Sequence, residues 1–309
     1  MKKNIVVVGS YIVALVMDTD RLPMAGETLM GKNFRQTYGG KGSNQAVQAA
    51  RLGADVSFVG KIGNDSFGRD FLDLCKNEHI NSSFVFKHHQ LPTASGIIIC
   101  AQGKNIITID IGALNDFNVN DIDQASELFT PESFVLLQLE IPVNSVMYAA
   151  KKAKEKGATV ILNPAPATNL CKMDLSNIDY LTPNETEARV CLGLKPNARV
   201  ENEDIARKIL ELNCKNVIIT LGEKGCILVN RDRQIVSPAF EFKTIVDSTG
   251  AGDAFNAGLA VALMQNKPVE EALRYANATG GLACTRADTI PSLHSHVEVD
   301  LFLKENTII

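Results

Sequence analysis

Short apolar runs alternate with amphipathic stretches along this chain. Residues 5–8, 56–59, 134–139, 159–162, 180–181, 217–221 and 226–229 are nearly continuously apolar. Strands covered by helices on both faces need such runs, because neither face meets water. Between them, helical spacing appears over 44–52 and 145–156, which stop at Gly53 and Gly157, and over 203–212, 254–264 and 269–282. The alternation predicts an α/β fold: a doubly wound, mostly parallel sheet flanked by helices. Two regions, 12–37 and 85–112, carry strand-like runs without intervening helices. They read as a small second sheet built from two separated insertions, the second bent at a hairpin turn over 101–104. No linker, low-complexity tract or fixed-period repeat divides residues 1–309, so one domain is expected.

Composition narrows the function classes. Of 309 residues, 45% are hydrophobic and 21% charged, which excludes disordered and fibrous chains. The net charge of −4 gives no electrostatic footprint for nucleic acid or an anionic membrane. No apolar run reaches the ~18 residues that a bilayer span needs. The opening Met1–Val8 is basic then apolar, as a signal peptide is, but it breaks at Gly9-Ser10 and charged residues Asp18, Asp20 and Arg21 follow. It reads as a first strand, with a cytoplasmic location by default. Seven cysteines, an odd number without C-x-x-C, read as reduced and buried thiols. His88-His89 and His294-x-His296 have no Cys or carboxylate at zinc-ligand spacing, so no zinc site is expected.

Four stretches carry candidate chemistry. In Tyr38-Gly39-Gly40-Lys41-Gly42-Ser43-Asn44 the glycines let backbone N–H groups approach a ligand, and Lys41 and Asn44 add donors. It is not a Walker A loop, and a tight strand–helix turn would look the same. Asp247-Ser248-Thr249-Gly250-Ala251-Gly252-Asp253 runs into an apolar helix whose first N–H groups form an anion site. There Asp253 is either a favourable helix-start charge or a general base that accepts a proton from an attacking alcohol. Thr182-Pro183-Asn184-Glu185-Thr186-Glu187 places Asn184 and Glu187 on one side of a helix, where they also make an N-cap with an acidic first turn. Thr220-Leu221-Gly222-Glu223-Lys224-Gly225 is a strand entering a glycine turn.

Together these stretches resemble the ribokinase branch of the PfkB carbohydrate kinases over nearly the whole length. The patterns G-G-K-G-x-N (Gly39–Asn44) and D-T-x-G-A-G-D (Asp247–Asp253, with Ser248 for Thr) are both present. Arg21-Leu22-Pro23, Gly26-Glu27-Thr28, Gly63–Gly68, Gln138-Leu139-Glu140 and Asn163–Ala167 follow the family's order. The resemblance implies transfer of the γ-phosphoryl group of ATP to a sugar hydroxyl. It makes Asp253 the base and Gly250, Ala251 and Gly252 the anion hole. It places Gly40, Lys41, Gly42, Asn44 and Glu140 on the sugar, and Asn184 and Glu187 by the phosphates and Mg²⁺. Thr220, Gly222, Gly225, Gly252 and Asn277 fall to the nucleotide. A K⁺ ion held mainly by carbonyls is implied at Asp247, Thr249, Ala283, Arg286, Asp288 and Ser292. The small sheet becomes a lid over the sugar, and a homodimer is usual.

Three departures stand out. Ribokinases read G-S-x-N-x-D at the first strand, where the Asn and Asp grip ribose hydroxyls; this chain has Ile12 and Ala14 there. Leu114 precedes Asn115 where Asn usually follows Gly-Ala directly, and Asp288 replaces a glycine. The expectation is an ATP-dependent kinase acting on a pentose-like sugar, with ribose, a deoxysugar or a nucleoside as candidate acceptors. A non-catalytic sugar-binding relative has no need of Asp253. A redox Rossmann enzyme would carry G-x-G-x-x-G after the first strand, which is absent.

Overall fold

A computed structural model of the chain describes residues 3–102 and 104–306. Met1, Lys2 and Gly103, which enter the readings of the first strand and of the 101–104 turn, lie outside the described residues. In chain order the first elements are β1 (Asn4–Val8), β2 (Ile12–Asp18), β3 (Lys32–Gly39), α1 (Lys41–Arg51), β4 (Val56–Gly63), α2 (Ser66–Asn77) and β5 (Asn81–His88). Then come β6 (Ser95–Ala101), β7 (Lys104–Asp110), α3 (Val119–Gln124), β8 (Ser133–Leu137), α4 (Val143–Glu155), β9 (Thr159–Leu162) and β10 (Tyr180–Leu181). The last are α5 (Glu185–Cys191), α6 (Asn202–Leu210), β11 (Asn216–Thr220), β12 (Cys226–Asn230), β13 (Gln234–Ser237), α7 (Ala251–Met264), α8 (Val269–Ala283) and α9 (His296–Glu305).

The apolar runs form the middle of a nine-stranded sheet ordered β13-β12-β11-β10-β9-β8-β1-β4-β5. It is parallel from β5 to β11 and antiparallel across β12 and β13. Both faces are covered, which is why the runs are continuous. Ile5 and Val7 pack with α1, α2, α7 and α8, whereas Val6 and Val8 pack with α3, α4, α5 and α6. The strand order reverses between β1 and β8, the point at which sheets of this kind hold ligands in a crevice beyond the carboxyl ends of the strands. Gly9-Ser10 and Gln138–Glu140 leave the sheet at that point.

A four-stranded sheet, β3-β2-β6-β7, stands apart from the large one. Its inner pair is parallel, with Leu15 opposite Ile97, and its outer pairs are antiparallel. The expected boundary at 85 shifts. Residues 85–88 continue β5 of the large sheet, with Val85 opposite Gly60 and His88 opposite Gly63. Phe84 and Phe86 pack on the large core, which holds that segment there. The second contribution therefore begins at Ser95, and the first runs on to Gly39. Two crossings join the sheets on the 92–94 and 111–113 side, tied by Ala113 N–H to Pro92 O and by Asp65, which accepts from both Thr93 N–H and Thr93 Oγ.

Candidate active site

Close approach sets the turn before α1. Gly40 takes φ +90°, and a Cβ there would come within 2.8 Å of Ile12 N. Only glycine fits both demands. α1 can therefore begin against the end of β1 and aim its first turn at the crevice. Asn44 Nδ2 donates to Asp253 Oδ2 at 2.9 Å, and Gln45 Nε2 donates to Asp253 Oδ1 at 3.0 Å. Asp253 lies in the first turn of α7 and is 5% exposed.

Charged groups surround this carboxylate. Glu140 accepts hydrogen bonds from Ser10 Oγ and from Lys41 N–H (2.7 Å). Burial nonetheless pushes its carboxyl above the usual carboxylate range. Burial disfavours the Lys41 ammonium, but Asp253, Glu140 and Glu187 together outweigh it and its pKa is raised. Glu187 is also raised, chiefly by burial and further by Asp253, against the Asn184 N–H bond and Lys41. Lys41, Glu140, Glu187 and Asp253 thus form one electrostatic group, although the sequence scatters them over more than 200 positions.

Gly250 caps α7 with φ +84°, which glycine adopts freely. Below it, Thr182 Oγ donates to Asn256 Oδ1 at 2.6 Å and Asn256 Nδ2 donates to Gly252 O at 2.8 Å, which fixes the helix start. Of the three expected anion-hole donors, Ala251 N–H here donates to Ser248 O at 3.2 Å. The start of α7 forms one end of a cavity of about 860 Å³. Thr220, Gly222, Gly225, Ala251, Gly252 and Asn277 all line it, with Phe240, Phe242 and Phe255 supplying apolar wall. That volume suits a small-molecule ligand. Asn277 Nδ2 donates to Ser237 O, Ser237 Oγ and Pro238 O, so this amide braces the wall after β13.

Asn184 and Glu187 form a reciprocal capping box at the start of α5: Asn184 Oδ1 accepts from Glu187 N–H and Glu187 Oε2 from Asn184 N–H, each at 2.8 Å. The cap uses the single side-chain oxygen of Asn184 and one oxygen of Glu187, which leaves the Asn184 amide nitrogen and Glu187 Oε1 outside it. In the expected K⁺ region, Asp247 Oδ1 accepts from Thr249 N–H (2.9 Å) and Oγ (2.7 Å), and the N–H of Val246 donates to Cys284 O beside Ala283. Thr289 packs on Gly250, and Ser292 Oγ donates back to Thr289 O. Arg286 pairs instead with Glu298 at 2.7 Å. Asp288 has φ +64°, the left-handed conformation that a glycine would take without strain. Among the described residues no cluster of three His, Cys, Asp or Glu marks a metal centre, and a carbonyl-held monovalent ion needs none.

The sugar-side departures also find places. Ile12 is buried at the start of β2 opposite Gly39, and Ala14 is half-buried opposite Thr37. Leu114 is fully buried in the 112–116 turn and packs with Phe117 and Ile122, while Asn115 is exposed. The extra residue therefore fills core.

Residues 2–296 match the pattern of the pfkB family carbohydrate kinases. The chain belongs to the pfkB family. It is similar to a ribokinase of Haemophilus influenzae, 34% identical over 98% of this chain and 99% of the relative. It is as similar to a deoxyribokinase of Salmonella typhi, 35% identical over 98% and 99%. Among solved structures, an Arabidopsis thaliana ribokinase complexed with ribose and ATP shares 31% identity over 98% of this chain and 99% of that one, with a TM-score of 0.86. This pfkB chain is an ATP-dependent sugar kinase, and the doubly wound fold with a separate small sheet agrees with the sequence expectation. The family patterns point directly to Asp253 and the glycine turns. They say nothing of the roles of Gln45, Gln138, Thr182 and Asn256, although Gln138 and Thr182 open family-like segments, Gln45 directly follows Asn44 and Asn256 follows Asp253 by three.

Proposed function

We propose that this kinase phosphorylates a pentose-like sugar with fewer hydroxyls than ribose on the side facing Ile12 and Ala14, and that Asp253 is its general base. The observation that supports this most is the buried Asp253 carboxylate, set between the Gly40–Asn44 turn and the large cavity. The sugar hydroxyl gives its proton to Asp253 as its oxygen bonds to the γ-phosphorus. The bond from that phosphorus to the bridging oxygen breaks, and ADP leaves. N–H groups of Gly250, Ala251 and Gly252 meet the developing charge, each worth ~3–4 kcal/mol in sites of this type. Ala251 must give up Ser248 O to contribute.

Gly40, Lys41, Gly42, Asn44 and Glu140 hold the sugar, and Thr220, Gly222, Gly225 and Asn277 line the nucleotide. Asn184 and the Glu187 carboxylate fit the edge of a Mg²⁺ shell, and the ion supplies charge neutralisation of the phosphates. The Asp247–Thr249 turn and the carbonyl of Ala283 fit a K⁺ ion, with Asp288 and Ser292 contributing backbone. Arg286 fits by its carbonyl alone, since its guanidinium is turned to Glu298.

Ile12 and Ala14 offer no side-chain hydrogen bond. A hydroxyl buried against either costs ~1–3 kcal/mol, so 2-deoxyribose or a similarly reduced sugar fits better than ribose. Likeness to a deoxyribokinase agrees with that choice, and equal likeness to a ribokinase keeps ribose as the alternative. The test is ADP formation from Mg-ATP across ribose, 2-deoxyribose, other pentoses, hexoses and nucleosides, with and without K⁺. A ribose preference of tenfold or more overturns the substrate assignment. No ADP from any of them returns the chain to the non-catalytic alternative.

The small sheet serves as the lid, hinged at 92–94 and 111–113. Its surface exposes Ile97, Ile106, Ile107 and Ile109 at 45–58%, apolar area that a second copy would cover in a homodimer. Sedimentation showing a monomer at high micromolar concentration removes that part. All seven cysteines are free, which fits a reducing, cytoplasmic setting. No described helix is long and apolar enough to cross a membrane.

A further inference from the structure

We infer that Gln45 and Gln138 form an amide relay that fixes the orientation of Asp253 and leaves Oδ2, rather than Oδ1, as the oxygen that takes the sugar proton. The inference rests on the reading of Asp253 as the base. Both glutamines have no exposed surface, one on α1 and the other just beyond β8. A carboxylate only accepts hydrogen bonds. Gln45 must therefore turn Nε2 toward Asp253 Oδ1 (3.0 Å). That aims Gln45 Oε1 at Gln138, which must answer with its own Nε2, at 2.7 Å. The polarity of the relay runs back from Asp253 without a free choice.

The relay ends on Gln138 Oε1, which is buried with no donor. It lies against Gly9, where a Cβ would come within 2.1 Å of it. A glycine after β1 is therefore what lets Gln138 occupy this position. Asp253 Oδ2 is held differently. Its partner Asn44 uses only Nδ2, and Asn44 Oδ1 is buried without a donor. Gln45 has both ends of its amide engaged, while Asn44 has one end still to satisfy and stands on the sugar turn. Oδ1 is thus the anchored oxygen, and Oδ2 faces the partner that a sugar hydroxyl can displace or join.

The charged groups facing Asp253 are Lys41 on α1, Glu140 after β8 and Glu187 on α5. Removing the Gln45 N–H takes away a bond that favours the ionised carboxylate among these groups. Gln45→Leu should therefore lower kcat about 10- to 100-fold, the loss expected when a reacting group is mispositioned. It should move the acid limb of the kcat/KM profile to higher pH, with KM for ATP little changed. A loss of packing alone would not move that limb. Gln138 gives a second test. Glu is the closest isostere of Gln, yet Gln138→Glu presents only acceptors. Gln45 would turn its Nε2 away and show its oxygen to Asp253, so Gln138→Glu should lose more kcat than Gln138→Leu. Gly9→Ala, which pushes Gln138 aside, should also lower kcat.

The assays use Mg-ATP with 2-deoxyribose or ribose, whichever wild type turns over faster, with melting curves to confirm folding. Asp253→Asn is measured alongside. If it keeps activity, the base assignment itself fails and the relay falls with it. If it is inactive while Gln45→Leu and Gln138→Glu keep wild-type kcat and pH profile, only the relay is overturned. Independently of any sugar, the side-chain amide of Gln45 in ¹⁵N-labelled wild-type enzyme should exchange slowly with water and lose protection in Asp253→Leu. Exchange as fast as free glutamine also overturns it.

Discussion

The two sides of the Gly40 turn are built on opposite terms. On the α7 side, Asp253 is enclosed by Asn44, Gln45, Lys41 and the Thr182–Asn256 bracket, and its carboxylate oxygens both have donors. On the β2 side, Ile12 and Ala14, opposite Gly39 and Thr37 of β3, carry no side-chain polar atom. Phosphoryl transfer needs the first arrangement whatever the acceptor, because charge must be met at fixed places. Acceptor choice needs the second, because specificity is a difference between affinities. On the function proposed above, the contrast separates what makes the chain a kinase from what decides its substrate.

The strongest way to break that contrast is Asp253→Asn. It should abolish transfer while ATP still binds, since general-base catalysis alone supplies ~10²–10⁴-fold. Retention of more than about a tenth of wild-type turnover would place the base elsewhere. Next is the double change Ile12→Asn with Ala14→Asp. Each restored hydrogen bond returns ~0.5–1.5 kcal/mol, so kcat/KM for ribose should rise about tenfold or more at 1.4 kcal/mol per decade. The gain should shrink for 2-deoxyribose. A folded double variant with no gain would mean that the pocket was rebuilt around a different acceptor, and a wild type already efficient on ribose would mean that other residues grip those hydroxyls.

The same contrast explains what could be read in the chain before its structure. Strands buried on both faces write continuous apolar runs, and a helix that starts at an anion site writes small residues ending in Asp253. Both are local records. The Gln45–Gln138 contact joins residues 93 positions apart, and neither residue's neighbours announce it. α2 is not among the expected helices either, although Phe67, Phe71, Leu74 and Cys75 recur at helical spacing and pack on the core. The boundary at 85 failed because Phe84-Val85-Phe86 reads as a strand in either sheet, and only packing on the large core assigns it. For Asn184 and Glu187 the capping reading holds through Asn184 Oδ1 and one Glu187 oxygen, which leaves the Asn184 amide nitrogen and the other Glu187 oxygen outside the cap.

A smaller effect sharpens the link between the two sides. Asp288 sits on the catalytic side, but its carboxylate lies 3.8 Å from Arg35 of β3, in the small sheet. That exposed pair is worth little, ~0–1 kcal/mol, whereas φ +64° penalises any side chain without a local polar partner. Asp288→Ala should therefore cost about 1 kcal/mol. Asp288→Gly should stay within about 0.5 kcal/mol of wild type, because relief at φ is offset by the freer unfolded chain. Chemical unfolding separates the cases. Equal losses in both variants would show that the Arg35 pair, rather than the backbone, is what Asp288 contributes.

The smallest expected effect concerns the bracket behind the same loop. Glu298 closes the capping box of α9 and pairs with Arg286. The backbone N–H of Ser295 foremost, then its hydroxyl and the Arg286 guanidinium, hold the carboxyl down to about 2 despite partial burial. A depressed carboxyl contributes stability that is complete above its unfolded value near 4.3 and is lost as pH falls toward the folded value. At 41% exposure the side chain is well screened by water. Glu298→Gln should therefore lower Tm at pH 7 by only about 1–2 °C. The gap from wild type should close steadily as pH drops from 5 toward 2. A gap that persists at the acid end would mean that Gln fails there for its geometry, and that charge at Glu298 has no part in holding the loop beneath Gly250.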